Sequence, residues 1–189
     1  EWRMGWFIII GSMPIVLLGI GLESLIDRQF RNLWFIGSML IIMGLVLGLA
    51  ERYGRKTSPI SDLTFTHAIA FGFAQACALV PGVSRSGATI SMGLFLGYER
   101  QAATRYAFLL AIPAVVGAGI YKLKDIPGSE NAYGVMPTIV GTVVSFLVGL
   151  AVIHWLLKYV SSHSYAPFVI YRVILGSLVL ILLWAGVIN

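Results

Sequence analysis

The sequence predicts an all-α, polytopic membrane bundle with about five full spans and one re-entrant helix–loop–helix hairpin. The first observation is the composition: of 189 residues, 58% are hydrophobic and 11% are charged, and the mean hydropathy is +0.89. An ordinary soluble domain carries roughly a quarter charged residues, and a chain this short cannot bury so much apolar surface in one water-soluble core. The composition therefore excludes a soluble globular protein and a disordered protein.

The second observation is that five largely uncharged segments approach the length of about 20 residues that a transmembrane helix requires. Polar segments over residues 23–32, 51–62, 125–137 and 158–167 lie between them, and each is typical of a turn or a solvated loop. Residues 1–189 are therefore predicted to form a single integral membrane domain. The predicted spans are Met4–Leu22, Leu33–Ala50, Tyr106–Tyr121, Met136–Leu157 and Phe168–Ile188.

The third observation is that the segment from about residue 64 to 98 does not fit a full span, because Pro81–Gly87 (PGVSRSG) interrupts it. As helices, the arms Thr66–Leu79 and Ala88–Tyr98 would be about 21 Å and about 16 Å long, whereas a hydrocarbon core is about 30 Å thick. Irregular backbone at membrane depth is tolerated only where protein or a wet cavity surrounds it. A re-entrant hairpin is the natural prediction, and one long span with an unwound centre is the alternative.

The charges predict a topology. The net charge is +5, and the basic residues are dispersed, so they indicate membrane anchors and no nucleic-acid partner. If the hairpin enters and leaves on one side, that side has more basic residues, and the positive-inside rule places it in the cytoplasm. Its basic residues would be Arg3, Arg52, Arg55, Lys56, Arg100, Arg105, Lys158 and Arg172, against Arg28, Arg31, Lys122 and Lys124 on the other side.

The stretch from Pro81 to Thr89 is chemically dense. Arg85 is the only Asp, Glu, Lys or Arg between Leu63 and Tyr98, and an ionised side chain at membrane depth is by default a functional hypothesis. Two glycines would let the backbone approach a ligand, three hydroxyls lie close by, and a helix predicted to begin near Ala88 would present its N–H groups to an anion. The predicted phosphate-binding residues are Gly82, Ser84, Arg85, Ser86, Gly87, Ala88 and Thr89.

Arginine, backbone N–H groups and hydroxyls together suit a phosphate or pyrophosphate group. The alternative is a structural role, in which Arg85 caps the carbonyl groups of a neighbouring helix and the serines satisfy a broken helix. The stretch is not a Walker-type phosphate loop, because it has no lysine and its glycine spacing is different.

The stretch LVPGVSRSGATISMGLFLGYERQAATRYAFLLAIPAVVGAG closely resembles the second signature region of the undecaprenyl pyrophosphate phosphatase family, also called bacitracin-resistance proteins. Two further segments, GSMPIVLLGIGLESLI (11–26) and FVIYRVILG (168–176), are similar to the family's G-T-x-P span and last helix. The family's other signature, a glutamate-rich motif followed by a Ser-Ser-Thr and histidine stretch, has no match in residues 1–50. The resemblance implies that this chain corresponds to the C-terminal two thirds of a longer enzyme and lacks its N-terminal third.

The resemblance also implies an activity. Family members are membrane enzymes that hydrolyse undecaprenyl pyrophosphate to undecaprenyl phosphate and inorganic phosphate, which recycles a lipid carrier for the cell wall. Their fold is an inverted repeat with two re-entrant hairpins, of which this chain would hold one half. By resemblance, Ser84, Arg85 and Thr89 would be catalytic, and a divalent cation (Mg²⁺ or Ca²⁺) would be held by residues absent from this chain. The expected location is the bacterial cytoplasmic (inner) membrane, with membrane lipids and a polyprenyl pyrophosphate substrate as partners.

Two other functions remain open from the sequence. A polyprenyl-phosphate flippase or another membrane transporter would also use inverted repeats and broken helices, but it would not release inorganic phosphate. A structural membrane subunit would need Arg85 for folding only. Gly and Ala residues on the span faces would suit a homodimer, although internal packing requires the same residues.

Overall fold

The computed structural model describes residues 2–29, 32–122 and 135–188, and within these ranges it contains seven α-helices and no β-strand. Five helices are long and apolar enough to cross a membrane, which confirms the predicted all-α membrane bundle. Two short 3₁₀ turns, Ile60–Asp62 and Cys77–Leu79, lie on either side of α3. The helices are α1 (Trp2–Gln29), α2 (Leu33–Tyr53), α3 (Phe65–Ala76), α4 (Arg85–Phe95), α5 (Arg100–Lys122), α6 (Val135–Val160) and α7 (Ala166–Trp184).

Two predicted boundaries are wrong. The turn predicted over residues 23–32 is helical as far as Gln29, because charged and polar residues such as Glu, Arg and Gln are good helix formers once a helix has left an apolar region. The next helix begins only after Asn32, whose side-chain oxygen accepts a hydrogen bond from the Trp34 N–H at 2.8 Å. At the other boundary, α5 begins at Arg100 and not near Tyr106.

The helices α3 and α4 pack against each other in opposite directions. At their outer ends, His67 Nδ1 lies 2.7 Å from the Tyr98 hydroxyl, and the two rings meet edge to face. Further along, the Phe71 ring packs against Gly93. The two helices therefore form a hairpin whose turn lies far from both outer ends. Its re-entrant placement in a bilayer stays a prediction, as does the inverted repeat.

The hairpin is the centre of the described fold. Helix α1 packs on α3, helices α2 and α5 pack on α4, α5 also packs on α1, and α7 packs along α2. One part of the buried core surrounds Phe71, Tyr106 and Leu110, and the other surrounds Leu47 and Leu94. The main contacts of α6 are with α5, and its apolar side chains are mostly exposed. Such a surface suits lipid, because lipid tails are as apolar as leucine.

The loop between α2 and α3 joins the outer ends of the hairpin. The N–H groups of Thr57 and Ser58 donate to the Gly97 carbonyl at 2.9 and 3.0 Å, and the Glu99 N–H donates to the Ser58 carbonyl at 2.9 Å. The ends of α2, α4 and α6 and the starts of α1, α3, α5 and α7 meet here, so we call this region the basic end. Its basic residues are Arg3, Arg52, Arg55, Lys56, Arg100, Arg105 and Lys158.

The prediction that Arg172 belongs to this group is wrong. Arg172 lies within α7, and its side chain is buried against the turn of the hairpin. Hydropathy does not report the direction in which a side chain extends. The Arg172 side chain extends to the turn of the hairpin, so its charge lies away from the helix end.

A close approach of two glycines sets the distance between α1 and α3. A Cβ atom at Gly72 would overlap the carbonyl oxygen of Gly11. We expect Gly72→Ala to force the helices apart, at a cost of about 1–3 kcal/mol, and to lower the thermal unfolding midpoint of the purified protein by several degrees. The control is Gly141→Ala, because a Cβ there meets nothing within 4 Å. If both variants had the same midpoint, the close approach would not matter for stability.

Candidate functional site

The turn between α3 and α4 has an unusual backbone. Gly82 has φ +90°, and a Cβ atom there would lie 2.7 Å from the Ile36 carbonyl oxygen in α2, so only glycine fits. Ser84 also has a positive φ, +68°, which is uncommon for a residue with a side chain. Such backbone strain is concentrated at functional sites, where the surrounding structure holds it in place. The turn is therefore a candidate site on its geometry alone.

Ser84 is the N-cap of α4. Its Oγ accepts a hydrogen bond from the Gly87 N–H at 3.3 Å, and its carbonyl accepts one from the Ala88 N–H at 3.0 Å. The helix begins at Arg85, so the predicted start near Ala88 is wrong, and the cap provided by Ser84 is the reason. The first-turn N–H groups without an intrahelical partner are those of Arg85 and Ser86. An anion at this helix end would meet those two, while phosphate binding by the Gly87 and Ala88 backbone stays a prediction.

The structure brings Ser84, Arg85 and Ser86 together. The Arg85 side chain is half-buried and has no hydrogen-bond or ion-pair partner among the described residues. The hydroxyl oxygens of Ser84 and Ser86 lie 3.5 Å apart. Thr89 is one turn deeper and fully buried, and its hydroxyl already donates to the Arg85 carbonyl at 2.8 Å. A direct role for Thr89 stays a prediction, since its proton is not free in this arrangement.

Arg172 completes this cluster, and reasoning from the sequence missed it as a site residue. Its side chain is 8% exposed, and its Nη2 donates to the carbonyls of Gly82 at 2.8 Å and Val83 at 3.0 Å. Its Nε atom is buried with no hydrogen-bond partner in the described part of the chain. The one available signal was an arginine within an apolar span, where an ionised side chain is costly.

Gly87 makes room for the Arg172 guanidinium. A Cβ atom at Gly87 would lie 3.2 Å from Arg172 Nη1 and 3.3 Å from Ser84 Oγ. The sequence predicts that Gly87 lets the backbone approach a ligand closely, and the structure adds a second role for this glycine. The glycine lets an arginine of α7 lie against the first turn of α4.

Positive charge gathers at this turn. Neither Arg85 nor Arg172 has a carboxylate partner within the residues that the structure describes. The N-terminal end of α4 adds the N–H groups of Arg85 and Ser86, which have no partner among the described residues, and the positive end of its dipole. Two guanidinium groups, free N–H groups and hydroxyls favour an anion with several oxygens, such as a phosphate group.

The same residues do not fit a metal ion. Among the side chains that the structure describes, no group of three or more His, Cys, Asp or Glu residues could hold one. The chemistry available at the turn is therefore anion binding by arginine and backbone donors.

Comparison with known proteins identifies the family. The family described as "Bacitracin resistance protein BacA" matches residues 1–178. The undecaprenyl-diphosphatase of Nocardioides sp. is 63% identical over 98% of this chain and 68% of its own length. That of Micrococcus luteus is 54% identical over 99% of this chain and 69% of its own. Undecaprenyl-diphosphatase 2 of Agrobacterium fabrum is 53% identical over 99% of this chain and 67% of its own.

These matches confirm the resemblance that the sequence suggested. The chain spans about two thirds of the length of these relatives. The matched residues include the hairpin, its turn and Arg172 of α7. The chain therefore belongs to the bacitracin resistance protein BacA family.

Proposed function

We propose that the protein is an undecaprenyl-diphosphatase, which hydrolyses undecaprenyl pyrophosphate to undecaprenyl phosphate and inorganic phosphate. The observation that carries the proposal is the turn of the hairpin, where Arg85 and two backbone N–H groups, all without a partner among the described residues, lie among apolar helices. A lipid pyrophosphate matches this combination, because its head group is a multiply charged anion and its tail is apolar. The names of the relatives support the same activity.

In the proposed reaction, water attacks the terminal phosphorus and breaks its bond to the bridging oxygen, which stays with undecaprenyl phosphate. Arg85 would contact the phosphoryl oxygens through its guanidinium group. The N–H groups of Arg85 and Ser86 would face the same oxygens, and the hydroxyls of Ser84 and Ser86 would add hydrogen bonds. These fixed donors would stabilise the negative charge of the transition state, which is the main task of an enzyme in phosphoryl transfer.

Arg172 acts differently in this proposal. Its hydrogen bonds to the Gly82 and Val83 carbonyls hold those oxygens against α7. The partial negative charges of these two carbonyl oxygens are thereby neutralised by the Arg172 guanidinium group. Arg172 is thus a positioning residue for the turn that carries Arg85.

We expect Gly87→Ala to lower the rate of phosphate release without lowering stability. The new Cβ atom would crowd Arg172 Nη1 and Ser84 Oγ, whereas alanine in place of a helical glycine stabilises a helix by up to about 1 kcal/mol. The measurements are kcat/KM and the thermal unfolding midpoint of the intact protein, compared with Gly141→Ala, which lies in open surroundings. A midpoint that fell together with activity would mean that Gly87 only supports the fold.

We further propose that the reaction requires a divalent cation, Mg²⁺ or Ca²⁺, as the resemblance implies. By the same resemblance, its ligands would be residues absent from this chain. Removal of divalent cations with EDTA is expected to abolish phosphate release, and added Mg²⁺ or Ca²⁺ should restore it. Full activity in EDTA would contradict the requirement, without affecting the proposed role of Arg85.

The bilayer location and assembly are proposals too. The five apolar spans make this a multi-pass membrane protein. We propose that it lies in the bacterial cytoplasmic (inner) membrane with its basic end in the cytoplasm, by the positive-inside rule. A homodimer stays a prediction, which cross-linking in membranes would test.

The function is tested by incubating the intact purified protein with undecaprenyl pyrophosphate in detergent and measuring inorganic phosphate. Release in proportion to protein concentration is the expected result. A folded protein that released none, yet moved polyprenyl phosphate across vesicle membranes, would instead be a transporter.

A further inference from the structure

A second candidate site lies at the basic end, far from the turn of the hairpin. A cavity of about 330 Å³ opens there between α1, α5 and the 3₁₀ turn before α3. Its lining includes Arg3 and Phe7 of α1, Leu63 beside the 3₁₀ turn, and Arg105 and Leu109 of α5. The volume is within the range of about 300–1,000 Å³ that is common for ligand pockets.

Two guanidinium groups line this cavity. The Arg105 side chain is exposed and has no hydrogen-bond or ion-pair partner among the described residues. The Arg3 guanidinium lies 5.8 Å from the centre of the Phe7 ring. The neighbouring carboxylate of Asp62 accepts a hydrogen bond from Ser61 at 3.3 Å and is not part of the lining. The cavity therefore presents two cations whose hydrogen-bond donors remain available to an anion.

An apolar cavity adjoins the first one. It has a volume of about 350 Å³, shares Arg3 and Phe7 with its neighbour, and is otherwise lined mainly by Trp2, Trp6 and Phe65. These last three side chains are more than half exposed. Tryptophan rings at the end of a span lie at the level of the lipid head groups. A ligand that fits both cavities would have an anionic group and an apolar chain.

We propose that these two cavities bind an anionic phospholipid of the bilayer. The phosphodiester would lie between Arg3 and Arg105, and an acyl chain would lie along the aromatic side chains of α1. The basic end is the cytoplasmic end by the positive-inside rule. Anionic lipids are concentrated in that leaflet, and basic pockets between transmembrane helices on the cytoplasmic side bind their head groups. The site does not depend on the proposed reaction.

The test is a lipid titration of the intact purified protein, followed by native mass spectrometry in neutral detergent. The probes are phosphatidylglycerol and phosphatidylcholine with identical acyl chains. We expect phosphatidylglycerol to bind at least about tenfold more tightly, and Arg3→Gln with Arg105→Gln to remove most of that difference. Leu109→Trp should weaken binding as well, because it fills the cavity and leaves the charges in place.

The control is Arg55→Gln, which removes an exposed charge at the same end but lines neither cavity. An equal loss in this control would show diffuse attraction and overturn the site, as would equal binding of the two phospholipids. If undecaprenyl phosphate displaced bound phosphatidylglycerol and bound at lower concentrations than phosphatidylglycerol does, the phospholipid assignment would be overturned. Phosphate release in neutral detergent should be unchanged in these variants. A failure of the phospholipid proposal can therefore be told apart from a failure of the proposed phosphatase function.

Discussion

Arg85→Ala is expected to lower kcat/KM for phosphate release from undecaprenyl pyrophosphate at least about 100-fold, which corresponds to roughly 2.7 kcal/mol of transition-state stabilisation. The reason is that Arg85 is a cation without a described partner at the N-terminal end of α4, where the phosphoryl oxygens would lie. No described side chain hydrogen-bonds to its guanidinium, so its removal should change the fold little. Size-exclusion chromatography and the thermal unfolding midpoint would check that the variant is folded.

Two further variants sharpen this experiment. Arg55→Ala removes the same charge from an exposed loop at the basic end and should leave activity unchanged. Arg85→Lys keeps the charge but loses the planar fork that binds two phosphate oxygens, so an intermediate activity is expected. Unchanged activity in Arg85→Ala would leave the reaction standing but remove the turn from the active site. A variant that failed to fold would favour a structural role for this arginine.

Arg172→Met is expected to reduce both activity and stability. The substitution removes the hydrogen bonds to the Gly82 and Val83 carbonyls. A buried polar group left without a partner costs about 1–3 kcal/mol, so the thermal unfolding midpoint should fall. Without this clamp the strained turn is free to relax, and we expect kcat/KM to fall about 100-fold as the donors of α4 lose their position.

Arg172→Lys tests whether charge alone is enough. A lysine ammonium group is a point charge and lacks the planar fork of arginine, so most of the activity should still be lost. Because Arg172 acts through the turn that holds Arg85, the double variant should be little worse than Arg85→Ala. Fully additive losses of activity in the double variant would mean that Arg172 contacts the substrate independently. Wild-type activity in Arg172→Met would show that Arg172 does not position the turn for the reaction.

Much of the fold could be predicted from the sequence because a membrane imposes local rules. A span needs about 20 consecutive apolar residues, so α2, α6 and α7 are predicted to within a few residues of their observed ends. The interruption at Pro81–Gly87 predicts two helices too short to span, and α3 and α4 are such helices. The isolated charge of Arg85 identifies the turn as the candidate site, and its surrounding motif identifies the family.

The sequence by itself therefore determined the membrane bundle, the interrupted hairpin, the family and the importance of Arg85. Only the tertiary structure decided how the turn is held. The bond from Arg172 to Gly82 joins residues 90 positions apart, and it exists because α2 packs between α7 and the hairpin. The start of α4 likewise depends on the backbone of Ser84, which α2 and Arg172 help to fix. Hydropathy reports the neighbours of a residue along the chain, whereas these contacts depend on neighbours that only packing brings together.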